Sequence, residues 1–184
     1  MQCNHTTLGQ STGFTVIELL MVMAIAAVLL AVGMPSFVEF ARETRAGSAM
    51  SSLTGDVQLA RSEAVKRNSR VLLCARASAT STSCTAAPSA GAWMNGWLVC
   101  YDRNADGACD AATAADPNPI RVQGALSAPL SLSGPAATLI FFPIGSASTG
   151  ATFTVTSSTD TVRTATIAPS GSIVTNKTYG GSYS

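Results

Sequence analysis

Between Phe14 and Met34 the chain reads F-T-V-I-E-L-L-M-V-M-A-I-A-A-V-L-L-A-V-G-M, with Glu18 its one charged side chain. Roughly twenty residues of helix at 1.5 Å per residue reach about 30 Å, the thickness of a hydrocarbon core. Such a segment must be covered by lipid or by other helices. A carboxylate within it costs about 2.5–3.5 kcal/mol even on lenient insertion scales, so Glu18 requires a partner, and a positive charge on another copy is the best candidate.

Pro35 follows, where a missing N–H and a crowded preceding turn predict a kink. From Phe37 to Asn68 apolar residues recur at spacings of three and four. Ala46, Met50, Leu53, Val57, Ala60 and Ala64 predict one apolar helix face. Arg42, Glu43, Arg45, Asp56, Arg61, Glu63, Lys66 and Arg67 mix both signs on the remaining surface, which suits a solvated or inter-subunit face. Gly47 and Gly55 are weak points but not stops. The pattern predicts one helix of about fifty residues over 14–69, apolar over 14–34 and amphipathic over 35–69. After it the period changes. Short β-branched or alternating runs at 71–75, 96–102, 119–123, 130–132, 139–143, 151–156, 161–168 and 172–175 predict strands of a β-rich domain over 70–184. The Ser/Thr/Ala tract 77–92 and the Ala/Asp tract 111–117 read as loops. In the second run, Trp97 and Val99 against Leu98 predict one buried and one exposed face, and the aromatics Trp93, Trp97 and Tyr101 read as core.

The N-terminal residues carry a resemblance. Gly13, Phe14, a hydroxyl, aliphatics, Glu18, Leu19 and Leu20 resemble the processing site of type IV pilins and pseudopilins. The resemblance implies a leader over 1–13, cleavage after Gly13 by a prepilin peptidase, N-methylation of Phe14, and pairing of Glu18 with the N-terminal amine of a neighbouring subunit. The leader has His5 but no Lys or Arg, a departure from the usual pattern that weakens charge-based orientation on that side. Further on stand Arg61-Ser62-Glu63-Ala64 with Lys66-Arg67, then Gly96-Trp97-Leu98-Val99 leading to Asp102-x-Asn104. Phe142 with a Gly shortly after it and Ile167-Ala168-Pro169-Ser170-Gly171 complete a series that resembles the GspH/FimT family of minor pilins and pseudopilins. The fold implied is α+β: a long N-terminal helix, transmembrane in its first half, packed on a C-terminal antiparallel β-sandwich-like domain. The partners implied are other pilins or pseudopilins, the prepilin peptidase and the inner membrane. The implied location is a single-pass anchor with a periplasmic domain, then a pilus or pseudopilus.

Of 184 residues, those beyond the leader and the apolar helix suffice for one domain. Charged residues make up 11% of the chain and nearly cancel, so charge does not advertise a nucleic-acid or anionic-membrane partner. Removing the leader takes away Cys3 and leaves Cys74, Cys84, Cys100 and Cys109, an even set that predicts two disulfides and an oxidising compartment. Three pairings are possible. Spacing favours Cys74 with Cys84 and Cys100 with Cys109, each closing a short loop. These spacings are not the C-x-x-C pairs of structural zinc sites, and no His remains to assist them.

The lack of histidine in the mature chain also removes Ser-His and Cys-His activation, and neither a phosphate-binding loop nor a nucleophile elbow occurs, so no enzyme and no cofactor are expected. Two binding alternatives remain. Asp102, Asn104, Asp106, Gly107 and Asp110 copy the opening of a calcium loop, though Thr113 replaces its bidentate Glu. The same cluster makes a hairpin turn, because Asp and Asn bond their own backbone; the turn is the first reading and calcium the alternative. Some FimT-like proteins are linked to DNA uptake through basic residues after the C-terminal Gly. Here Gly171 is followed by Ser172, Ile173 and Val174, leaving Arg163 and Lys177 as a weak DNA pair and arguing against nucleic acid as a partner.

Overall fold

A computed structural model describes residues 13–113, 117–157 and 161–179, with the side chains of 32–36 outside the description. All of the expected leader over 1–13 except Gly13 therefore lies outside the described residues. A single helix, α1 (Val16–Arg67), spans 52 residues and continues through Pro35. Thr15 Oγ1 accepts the backbone N–H of Glu18 at 3.3 Å, an N-cap bond that leaves Glu18 in the first turn, near the positive end of the helix dipole. At the other end Lys66 and Arg67 complement the carbonyl end. Asn68, at φ +49°, closes the helix in a Schellman arrangement, with its N–H donating to Val65 O and the Ser69 N–H to Ala64 O.

The chain divides into two compact units, one ending at Phe40 and the other running from Ala41. In the first unit the described large apolar side chains are exposed, Phe14 just before α1 at 84% and Val16, Ile17, Leu19, Leu20, Val28 and Leu29 of α1 all above half. Among the described residues no helical stretch is long and apolar enough to cross a membrane. The described apolar side chains from Val16 to Ala31 cover only about 24 Å of helix, and the rest of the expected 14–34 span includes side chains outside the description.

Among the described residues the second unit contains eight strands: β1 (Val71–Ala75), β2 (Trp97–Tyr101), β3 (Arg121–Val122), β4 (Ser131–Ser133), β5 (Leu139–Phe141), β6 (Ala151–Thr156), β7 (Thr161–Ile167) and β8 (Ile173–Tyr179). They form two antiparallel sheets in the orders β3-β2-β1-β5 and β4-β6-β7-β8. One core joins the helix face Ala46, Met50, Leu53, Val57, Ala60 and Ala64 to Val71, Leu73, Trp97, Val99 and Phe141 of the first sheet and Phe153, Val155, Ala165 and Ile167 of the second. The spacing of the helix residues and the alternation of β6 produce this arrangement directly.

Two expectations need correction. A 3-10 helix (Ala90–Asn95) overlaps the end of the tract read as loop. It places Trp93 in the core, edge-on to Phe153 with centroids 4.7 Å apart and its indole N–H on Pro135 O at 2.9 Å. And β2 has no exposed face: Leu98 is buried with Leu72, Cys74 and Cys100 on the side away from the helix. The disulfide-tied segments after β1 and β2 supply the second cover that the alternation rule does not anticipate.

Candidate functional site

The residues expected to act in assembly lie at the start of α1. Gly13 and Phe14 precede its first turn, and Glu18 is exposed. The Thr15 cap fixes the backbone that carries Glu18. Around it stand the exposed aliphatic side chains of the first unit, with no other charged side chain from Gly13 to Ala31. A helix that is apolar all round requires burial by something outside itself.

In the second unit, Glu43, Asp56, Arg61 and Glu63 of α1 tie it to both sheets, unlike the solvated or inter-subunit face expected of them, while Arg45, Lys66 and Arg67 are exposed as expected. Glu43 takes both Arg163, at 3.4 Å, and Lys177. Asp56, 5% exposed, accepts the Trp97 indole N–H at 2.8 Å and pairs with Arg121 at 3.4 Å. Burial pushes the Asp56 pKa up, opposed by the Trp97 bond and the Arg121 charge. Arg61 donates to Gly145 O at 2.9 Å and Gly171 O at 3.3 Å. Glu63 accepts the Tyr101 hydroxyl at 2.7 Å, which, with Lys66 and Arg67 nearby, holds its carboxyl below the ordinary value despite partial burial. Sequence reasoning missed these anchors. The available signal was spacing, since Asp56 and Glu63 each stand three residues after an apolar-face residue, Leu53 and Ala60.

Arg163 and Lys177 do share a face, as directly opposed residues of β7 and β8. Both reach Glu43, so their charges are engaged in holding the strand pair to α1. In the Asp102 loop, the side-chain oxygens serve the turn itself. Asp102 Oδ2 meets the Gly107 N–H and Arg70, Asn104 Oδ1 meets the Asp106 N–H, and Asp106 Oδ1 meets the Ala108 N–H. Asp110 Oδ2 accepts the Arg103 N–H at 2.9 Å. The Ala108 N–H and the Asn104 amide together lower the Asp106 pKa. Asp102 Oδ1 is buried without a hydrogen-bond partner. Among the described residues these acids do not gather at one point; the ligand-type atoms that do are the four cysteine sulfurs, all within 4.8 Å of one another. They are joined as Cys74–Cys84 and Cys100–Cys109, the pairing favoured by spacing.

A helix packed on two antiparallel sheets, with an exposed apolar N-terminal extension, defines a pilin-like subunit. The sequence matches the family described as Type II transport protein GspH over residues 49–171, and the chain belongs to that family of minor pilin and pseudopilin subunits. No match exists among curated proteins. Two crystal forms of the type IV minor pilin FimU from Pseudomonas aeruginosa strain PAO1 are similar in structure. One has 22% identity and a TM-score of 0.51, covering 74% of this chain and 92% of that one. The other has 20% identity and a TM-score of 0.48, covering 71% and 91%.

Proposed function

We propose that the chain is made with a leader, cut after Gly13 by a prepilin peptidase, and methylated on Phe14. Residues 14–34 then hold it in the inner membrane with its β-rich domain in the periplasm, until it enters a type IV pilus or a type II secretion pseudopilus. Its work is structural rather than catalytic. The observation that carries this reading is the exposed apolar stretch of α1 with Glu18 as its one carboxylate, joined to a domain of the GspH family. Burying that stretch against neighbouring helices replaces lipid contact with close packing, and Glu18 meets a subunit amine in low dielectric, where a paired charge is far better than a lone one. Glu18 thereby sets the register between subunits.

Expression of the full chain with and without a prepilin peptidase tests the first step. The expected product begins with methylated Phe14, and an intact leader in the presence of the peptidase refutes the processing. For the second step, Glu18→Ala leaves membrane insertion and domain folding intact and lowers co-purification with other pilins several-fold. Undiminished co-purification removes Glu18 from assembly.

A further inference from the structure

The two disulfides touch. Cys74 stands opposite Leu98 and Cys100 opposite Leu72, which puts both on the face of the β1–β2 pair turned away from the helix. Their partners reach them from different segments, and Cys84 Sγ lies 3.4 Å from Cys109 Sγ. Cys74 and Cys100 are buried, whereas Cys84 and Cys109 are half-buried. A thiolate in contact with a disulfide sulfur is the arrangement from which exchange proceeds.

We propose that the four sulfurs form one thiol–disulfide exchange site, whose substrate is an external dithiol of the oxidoreductase class and whose half-reduced form carries a Cys84–Cys109 bridge. The external dithiol reduces one native bridge and leaves as its own disulfide, delivering two electrons and two protons. When Cys74–Cys84 opens first, the Cys84 thiolate attacks Cys109 Sγ, the Cys100–Cys109 bond breaks, and Cys100 leaves as a thiolate that takes up a proton. When Cys100–Cys109 opens first, Cys109 attacks Cys84 and Cys74 leaves. Both routes end on the same bridge without further oxidation or reduction. The two thiols left over are the buried ones, and a buried neutral thiol is accommodated as a small apolar group. The surviving bridge then joins the two segments to each other instead of each to its own strand.

The test uses the full-length chain carrying Cys74→Ser or Cys100→Ser, produced in an oxidising compartment, quenched in acid, alkylated under denaturing conditions and mapped by mass spectrometry, with label on the leader's Cys3 scored apart from the four domain cysteines. With Cys74→Ser the larger share of label is expected on Cys100, and with Cys100→Ser on Cys74. Label mainly on Cys84 and on Cys109 respectively means that the native bridges do not communicate and overturns the proposal. Wild-type protein treated with one equivalent of dithiothreitol gives a reading independent of either variant's folding. The half-reduced species is expected to carry label on Cys74 and Cys100 together, and label on a native pair overturns the proposal equally.

Discussion

Asp56 and Glu63 stand two turns apart on α1 and respond to pH in opposite senses. Burial raises the Asp56 pKa, so the folded state favours its protonated form; that contribution is full below about pH 4 and is lost as pH rises through the folded pKa. Asp56→Asn keeps an acceptor for the Trp97 indole without a charge. At pH 7 this variant is expected to match or exceed the parent in urea midpoint, and the parent is expected to gain on it as pH falls through the raised Asp56 pKa. Asp56→Ala leaves the indole N–H buried and unpaired and is expected to lose about 1–3 kcal/mol at pH 7. Equal losses in the two variants at that pH contradict this account. For Glu63 the lowered pKa contributes stability above about pH 4.5 that is lost as pH falls through the folded value. Tyr101→Phe removes the bond that contributes most to that lowering and is expected to cost about 1–2 kcal/mol at pH 7, with a smaller difference near pH 3, read from chemical denaturation at both.

Among the elements, α1 is joined to the chain reversals before β6 and before β8 through Arg61. Its two acceptors belong to Gly145 and Gly171, both at φ near +80°, and a Cβ on Gly171 would stand 2.3 Å from Gly145 O. Gly171→Ala is therefore expected to destabilise the domain by about 2 kcal/mol or more, and Arg61→Leu by about 1–3 kcal/mol by stripping two carbonyls of their donor; thermal unfolding of each measures this. Among the described residues the eight strands fall on expected runs because β-branched runs between turn residues report their own conformation locally. But β8 continues to Tyr179 past the expected end at 175, since Asn176 and Lys177 break the apolar pattern while still pairing with β7. The helix face from Ala46 to Ala64 was legible from its period. The bonds of Asp56, Arg61 and Glu63 to the sheets and reversals were not, since a charge beside an apolar stripe reads alike whether water or a sheet lies opposite. Nor was the second cover over Leu98, which depends on where the segments after β1 and β2 return. The cysteine pairing followed from spacing, but the contact between the two bridges is a product of strand register.

For the whole molecule, each disulfide closes a loop with sequence separation 10 or 9 and is worth about 2–3 kcal/mol through the unfolded chain. Together they amount to a large part of the stability of a domain of this size, so full reduction is expected to lower the midpoint of thermal unfolding by at least about 10 °C, measured with and without excess reductant. The anchors of α1 have a mechanical consequence as well. Glu43, Asp56, Arg61 and Glu63 grip strands, sheet edges and reversals along about 30 Å of helix. A pull along the helix axis loads these grips side by side, in shear, instead of opening them one after another like a zipper, so a subunit under tension yields only when several give way at once.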